Sequence, residues 1–360
     1  MWSDRRLLDL LGIELPIIQA PMAGATGAAM AIAVSEAGGL GSLPCALLTV
    51  EKARAEIGAI REGTSRPLNV NFFCHAPPQP DPEREEVWRS RLAPYRAEFG
   101  VDASTNVTAF NRAPFDDAMC NLVEEVEPEV VSFHFGLPKR RLLDRVKSVD
   151  CKVLGSATTV GEARWLANQG CDAVIAQGFE AGGHRGMFLT DAVDSQPGTM
   201  ALVPQVVDAI GAPVVAAGGI ADGRGIAAAL ALGAAGVQIG TAYLFTSEST
   251  ISGLHRIALG SARDDGTVLT NVFTGRPARG LVNRIVREIG PISPDTPAFP
   301  TAAGALAPIR AAAEAADSSE FSPLWSGQAA NLSRFGSARE LTCGLAASAL
   351  ERLEMLTPPG

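Results

Sequence analysis

The sequence has few aromatic and few charged side chains, and its net charge is acidic. Aromatic residues make up 6% of the 360 residues, with only two Tyr, and the net charge is −9 at pH 7. A general nucleic-acid binder needs a basic face, and a protein that stacks single strands needs many aromatic rings. Both classes are therefore excluded. Hydrophobic residues account for 47% of the chain, which also excludes a mainly disordered protein.

Long apolar runs and paired cysteines are missing as well. No stretch of about 18 uncharged apolar residues occurs, so no membrane span is expected. The first residues include Asp4 and Asp9 and make a poor signal peptide. None of the six Cys forms a C-x-x-C pair or lies at zinc spacing with one of the four His. We therefore expect a cytoplasmic protein with reduced thiols, no metal site and no membrane or nucleic-acid partner.

Short apolar segments recur along the chain, and many of them end in Gly. Their near-continuous apolar character is typical of strands that are buried on both faces, as in a parallel sheet. The eight segments are PIIQAPMAGA (16–25), GGLGSL (38–43), PLNVNFF (67–73), VVSFHFG (130–136), KVLGSAT (152–158), DAVIAQG (172–178), PVVAAGGI (213–220) and GVQIGTAYLF (236–245).

Helix-like segments separate these strands, so the sequence predicts an α/β fold, the TIM or (β/α)8 barrel. Thr159 and Asp222 are predicted helix caps. Residues 74–129 are interpreted as a loop followed by two charged surface helices. We predict three parts: a barrel over 1–245, a small lid or substrate domain inserted over 246–331, and a C-terminal helix over 332–360 that returns to the barrel.

Active sites of such barrels lie at the carboxyl ends of the strands, and phosphate groups bind after the seventh and eighth strands. Gly218 and Gly219 follow the seventh predicted strand, and Gly240 and Thr241 follow the eighth. Their backbone N–H groups and the Thr hydroxyl can cradle a phosphate without Lys. No G-x-G-x-x-G follows a first strand, so a Rossmann domain is not supported. A phosphate-bearing cofactor is predicted instead.

The sixth strand ends in the unusual segment EAGGHRG (180–186). Two glycines allow close approach to a ligand, and His184 suits proton abstraction or anion binding. The alternative is a loop histidine that bonds a backbone carbonyl. Arg185 either holds an anion or fixes the loop. A phosphosugar isomerase would need a catalytic Glu or Lys at a strand end, and Glu180 is the one strong candidate.

Polar side chains also occur on the third and fourth predicted strands. Asn69 and Asn71 point to one face and either bind a ligand or satisfy loop backbone. His134 is either a site residue or a satisfied core histidine. The turn after the first strand, from Gln19 to Gly24, either lets the backbone approach a flat ligand closely or is an ordinary turn between strand and helix.

Taken together, these segments resemble the nitronate monooxygenase family, formerly called 2-nitropropane dioxygenases, in its class I branch. The resemblance spans almost the whole chain, and the block that ends in EAGGHRG is its most specific part. The matching stretches are QAPMAG (19–24), AVSEAGGLGSL (33–43), LNVNFF (68–73), VSFHFGLP (131–138), ATTVGEARWLANQGCDAVIAQGFEAGGHRG (157–186), AAGGIADGRG (216–225), QIGTAYL (238–244) and FTGRPARGL (273–281).

The resemblance implies a detoxifying flavoprotein that binds FMN and oxidises alkyl nitronates, such as propionate 3-nitronate, with O2 to a carbonyl compound and nitrite. It implies His184 as the catalytic residue, and His134 is a further candidate for substrate contact. A homodimer is an additional expectation. The alternative is an NAD(P)H-dependent quinone reductase or enoyl reductase on the same flavin barrel. The implied FMN-binding residues are Ala20, Met22, Ala23, Asn71, Gln177, Gly182, Gly183, Gly218, Gly219, Gln238, Ile239, Gly240 and Thr241.

Overall fold

A computed structural model describes residues 2–102, 105 and 112–356. Eight parallel strands form one sheet in the order β1-β9-β8-β6-β5-β4-β3-β2. These barrel strands are β1 Ile17–Gln19, β2 Gly41–Pro44, β3 Leu68–Phe73, β4 Val130–His134, β5 Lys152–Ala157, β6 Ala173–Gln177, β8 Val214–Ala217 and β9 Gly236–Ile239.

The two edge strands of this sheet meet and close it. Leu40, just before β2, donates its N–H to Ile17 O, and Gln19 N donates to Leu40 O. The eight predicted strands and the (β/α)8 barrel are thereby confirmed. All carboxyl ends of the strands meet at one mouth of the barrel.

Helices cover the outside of the barrel. They bury the outward strand residues in the largest core cluster, whereas a second cluster fills the barrel interior. Leu7, Leu8 and Leu11 of the first helix pack into that interior cluster. The helices of the barrel are α1 Arg6–Leu11, α2 Ala28–Glu36, α3 Val50–Gly63, α5 Asp117–Val126, α6 Arg140–Ser148, α7 Val160–Asn168, α8 Thr199–Ala209, α9 Gly223–Ala231, α10 Thr241–Leu244 and α14 Ala338–Leu356.

The predicted helix caps are confirmed. The Thr159 hydroxyl accepts from Glu162 N, and the Asp222 carboxylate accepts from Arg224 N and Gly225 N. The Glu162 carboxylate does not reach back to the N–H of the capping Thr159; it accepts hydrogen bonds from Thr158 N at 2.7 Å and from Phe188 N at 2.6 Å. It therefore ties α7 to the loop that follows β6.

Residues 246–331, which we call the lid, lie outside the eight-stranded sheet and contribute two strands to a second sheet. Its sheet pairs β10 with β11 and β11 with β7, all antiparallel. The short strand β7 comes from the loop after β6, so this barrel loop is part of the lid sheet. The elements are β7 Gly183–His184, β10 Thr267–Thr270, β11 Ala278–Leu281, α11 Gly253–Gly260, α12 Arg284–Ile289, α13 Ala302–Ala315 and the 3-10 helix Ala330–Leu332.

The remaining helix, α4 Pro82–Glu98, also packs against the lid. Trp88 and Leu92 are buried, and the Trp88 indole N–H donates to Ala302 O of α13 at 3.2 Å. The prediction of a charged surface helix is confirmed for α4, whose residues are mostly exposed, and its one buried face completes the apolar core of the lid. The three-part division of the chain stays a prediction.

Within the described residues, every helix is too short or too polar to cross a membrane.

Candidate active site

His184 lies at the mouth of the barrel, and two neighbouring side chains contact its backbone carbonyl oxygen. Its carbonyl oxygen accepts a hydrogen bond from the Gln177 side-chain Nε2 at 3.0 Å. The His134 ring Nε2 lies 3.2 Å from the same oxygen. Because a carbonyl only accepts, His134 carries its proton on Nε2. Gln177 and His134, both predicted site residues, thus fix the position of His184.

Aromatic side chains surround the His184 ring. The ring centroids of Phe299 and Trp325 are each 5.4 Å away, Phe135 lies at 6.0 Å and Phe73 at 6.3 Å. Two of these residues come from the lid and two from the ends of barrel strands. We call His184 and these four rings the histidine end of the mouth.

Burial lowers the pKa of His184 well below 6.5, and the positive charges of Arg112 and Arg276 lower this pKa further. For His134, burial is again the main cause and lowers the pKa to about 4. Arg276 lies over the Phe135 ring at 4.1 Å, and Arg112 lies 5.7 Å from the Phe299 ring centroid. The histidines are therefore neutral at pH 7, and the nearby guanidinium groups favour an anion.

The glycines that follow β6, β8 and β9 form another part of the mouth. We call Gly182, Gly218, Gly219, Gly240 and Thr241 the glycine end. Gly218 and Gly219 have φ values of +113° and +70°, which L-residues rarely adopt. A Cβ added at Gly182 would lie 2.5 Å from the backbone N of Gly327, which itself donates to the Thr241 hydroxyl at 2.9 Å.

The floor of the mouth is polar. Gln177, Ala217 and Gln238 lie side by side on β6, β8 and β9. The Gln238 Oε1 atom is buried and has no hydrogen-bond partner among the described residues. An unpaired buried oxygen costs stability unless a ligand supplies a donor. This atom is therefore free to accept a hydrogen bond from a ligand.

The turn after β1 completes this floor. Ala20 N donates to Ile239 O at 2.8 Å, and a Cβ at Gly240 would lie 3.5 Å from the Ala20 Cβ and 3.6 Å from the Met22 sulfur. The Ile239 side chain packs outward in the core, so only its backbone faces the mouth. Ala23 lies next along the same turn and is partly buried.

Asn69 and Asn71 are buried and bond neighbouring strands. The Asn71 Nδ2 donates to Ser132 Oγ at 2.9 Å, and the Asn69 Nδ2 donates to Ser42 Oγ at 2.9 Å. The Asn69 Oδ1 has no hydrogen-bond partner among the described residues. These amides thus meet strand hydroxyls, and the FMN role of Asn71 stays a prediction.

Two charged residues of the β6 loop have structural tasks. Arg185 is fully buried and donates to Gln196 Oε1, Gly178 O and Gln177 O at 2.6 to 2.8 Å. Of its two predicted roles, the structure therefore supports fixing the loop. The Glu180 carboxylate accepts from the Thr199 backbone N and hydroxyl at 2.8 Å, where α8 begins. A carboxylate bound in this way is poorly placed as the base of an isomerase.

Sequence reasoning missed the residues that the lid contributes. Thr274 and Arg276 belong to the segment FTGRPARGL, which supported the resemblance without being assigned a role. The Thr274 hydroxyl lies 2.9 Å from the His184 Nε2. Phe299, Trp325 and Gly327 carried no motif, because aromatic and glycine residues in a loop give no signal of which strand they will face.

A cavity of about 260 Å³ lies beside the histidine end, on the side of β2 and β3. Phe73 lines this cavity and is also one of the four rings of the histidine end. Among residues 2–102, 105 and 112–356, no group of three His, Cys, Asp or Glu is placed to hold a metal ion.

The fold and the site together define a (β/α)8-barrel protein with a lid over the carboxyl ends of its strands. The profile of the family described as "Nitronate monooxygenase" matches residues 4–347. The nitronate monooxygenase of Pseudomonas aeruginosa is 44% identical over 338 residues, covering 93% of this chain and 96% of that protein. The nitronate monooxygenase of Paraburkholderia phytofirmans is 42% identical, covering 98% and 97%.

A solved structure is similar over the same length. It is described as the nitroalkane oxidase from Streptomyces ansochromogenes, with 41% identity and a TM-score of 0.89, covering 98% of this chain and all of that one. The chain therefore belongs to the nitronate monooxygenase family, as its motifs predict. It is an enzyme, an oxidoreductase of the kind that acts on nitronates.

Proposed function

We propose that this protein is an FMN-dependent nitronate monooxygenase. It oxidises alkyl nitronates, such as propionate 3-nitronate, with O2 to a carbonyl compound and nitrite. The observation that carries this proposal is the neutral His184 in its aromatic cage, with guanidinium groups nearby and a glycine-lined cradle at the same mouth. The names of the relatives support the same substrate class.

The residues of the mouth fit FMN. The unpaired Gln238 Oε1 needs a donor, and the flavin ring and ribityl chain both offer donors. Gly218, Gly219 and the start of α10 at Thr241 present backbone N–H groups that suit a phosphate without Lys. The remaining FMN residues are those that the resemblance implies. When bound, FMN supplies the electron transfer between the nitronate and O2.

The residues of the histidine end have separate tasks. His184 accepts the α-proton when the substrate is a neutral nitroalkane, the substrate class from which the Streptomyces oxidase takes its name. The nearby charges of Arg276 and Arg112 favour the nitronate anion that results. Phe299 and Trp325 keep water away from the reacting carbon.

Oxygen uptake by the purified protein tests this proposal. We expect a flavin absorbance spectrum and rapid O2 consumption on addition of ethyl nitronate or propionate 3-nitronate, with nitrite formed. NADH and NADPH, each with and without a quinone, are added in parallel runs and should give no uptake. Oxidation of a nicotinamide without nitronate turnover would identify the reductase alternative. A protein that stays colourless when FMN is added would contradict the flavin assignment.

A further inference from the structure

The turn of the lid hairpin, residues 271–277 between β10 and β11, and the first residue of β11 hold the catalytic candidate at several points. His184 pairs with Ala278 through the backbone of β7 and β11. Arg185 N donates to Pro277 O at 2.9 Å. The Thr274 hydroxyl lies 2.9 Å from the His184 Nε2. One turn therefore fixes both the backbone of His184 and the rotation of its ring.

A second acceptor beside Thr274 favours one direction of this hydrogen bond. Its hydroxyl also lies 3.4 Å from the Arg276 carbonyl oxygen, which can only accept. When the single hydroxyl proton is directed to that carbonyl, a lone pair on the oxygen faces the His184 Nε2. Thr274 is only 2% exposed, so bulk water is not available to take over either bond.

A neutral imidazole carries one proton, and the nitrogen without it is the base. If Thr274 donated to Nε2, that lone pair would be occupied and the proton would sit on Nδ1. His184 would then have no nitrogen ready to accept a proton. The arrangement in which Nε2–H donates to Thr274 leaves the Nδ1 lone pair available.

We propose that Thr274 is a positioning residue that holds His184 as the Nε2–H tautomer, so that Nδ1 receives the α-proton of a neutral nitroalkane. The inference rests on the proposed function. In this step the α-C–H bond breaks, its electron pair stays with the substrate as the nitronate anion, and a new N–H bond forms on Nδ1. A preformed nitronate has already lost this proton and does not need the step.

The first test compares Thr274→Val with Thr274→Ser on two substrates. Val keeps the shape of Thr but removes the hydroxyl, whereas Ser keeps the hydroxyl. Thr274→Val should lower kcat/KM for nitroethane by about 10- to 100-fold, within the range of general-base effects. Its kcat/KM for ethyl nitronate should fall less than about threefold, and Thr274→Ser should restore both values. Equal losses on both substrates, or no rescue by Ser, would overturn the positioning role.

The second test reads the tautomer directly, through the ¹⁵N chemical shifts of histidine-labelled protein at pH 7.5. His184→Asn assigns the signals. We expect a protonated Nε2 and an unprotonated Nδ1 in the wild type and in Thr274→Ser. A wild-type His184 protonated on Nδ1 would refute the proposal, even if Thr274→Val does not fold. This readout needs no turnover, so it separates failure of the tautomer assignment from failure of the proposed nitronate activity.

Discussion

The two ends of the barrel mouth differ in the kind of atoms that they present to a ligand. The histidine end is made of side chains, four aromatic rings around one neutral imidazole, with guanidinium groups close by. The glycine end is made mainly of backbone, exposed where glycines adopt positive φ values. Desolvation lowers the pKa of His184 at the histidine end. The glycine end can bind an anion through backbone N–H groups, which do not titrate.

This difference predicts which kinds of substitution should impair the function of each end. The histidine end should be sensitive to the loss of a single functional group and tolerant of small changes in volume. The glycine end should respond in the opposite way, because its function depends on space and on backbone conformation. The following substitutions test that contrast.

The largest effect is expected for His184→Asn. Asn cannot accept a proton at neutral pH, so kcat/KM for nitroethane should fall by at least about 100-fold. The loss on preformed ethyl nitronate should be clearly smaller, because no proton has to be removed. Oxygen uptake with the two substrates measures both values, and equal losses would remove the base role.

The pH profile of the wild type gives a second check on the same residue. A base acts in its unprotonated form, and the pKa of His184 lies well below 6.5. The kcat/KM for nitroethane should therefore stay level from pH 8 down to pH 6.5 and decrease only at lower pH. A decrease centred on pH 6.5 would show that His184 is exposed to solvent in the active enzyme.

The next effect concerns flavin retention in Gly219→Val. Gly219 has a φ of +70°, which a β-branched residue avoids, and its added Cβ would lie 3.3 Å from the Glu180 Cβ. We expect the purified variant to lose most of its bound flavin, as measured by the ratio of absorbance at 450 and 280 nm. Unchanged flavin content would contradict the phosphate assignment.

Gly211→Val is the matched control for this variant. Gly211 lies in the loop between α8 and β8, at the opposite end of the barrel, and a Cβ there meets nothing within 4 Å. The same Gly to Val change should leave the flavin content at the wild-type level. Equal loss in both variants would mean that the effect of Gly219→Val is general destabilisation.

The glycine end could be predicted from the sequence to a greater extent than the histidine end. Its signals are local, because strand, glycine pair and helix cap follow one another within about ten residues, as in Ala217 to Asp222. The eight strands were predictable for the same reason. Buried parallel strands are mainly apolar, and many of them end at a glycine or a polar residue.

The histidine end depends on contacts between residues far apart in the chain, and no local pattern shows them. His184 itself stood out because it follows two glycines, but Thr274 is 90 positions away. Trp88 is a similar case, since its helix is highly charged and one apolar face is all that marks its contact with α13. The pairing of β7 with β11 was also beyond prediction, because a two-residue strand has no periodicity.

A moderate effect is expected for Gln238→Leu, which removes the unpaired Oε1 at the floor of the mouth. Without flavin, the melting temperature should stay unchanged or rise, because a buried oxygen without a partner no longer has to be accommodated. With FMN, affinity should fall by about tenfold, the value of one hydrogen bond to a ligand. Thermal unfolding with and without FMN measures both, and unchanged affinity would show that this oxygen faces no donor of the flavin.

The smallest effect concerns the pH dependence of stability at His255, which contacts the backbone of Trp325 beside the histidine end. His255 of α11 lies 3.1 Å from the Trp325 carbonyl oxygen through its Nε2, and burial lowers the pKa of His255 to about 4. The unfolded chain protonates this residue near pH 6.5, so between pH 6.5 and 4 the unfolded state binds the extra proton and stability falls with decreasing pH.

His255→Gln should weaken this trend, since Gln can still donate to the carbonyl but does not titrate. Urea unfolding at pH 6.5, 5.5 and 4.5 measures how the free energy of unfolding depends on pH. For His255→Gln this dependence should be lower than in the wild type by up to about 1.4 kcal/mol per pH unit, the limit for one proton. Gly219→Val changes no titratable group and should keep the wild-type slope, although its flavin content falls. If His255→Gln and the wild type had equal slopes, His255 would be solvated in the folded protein.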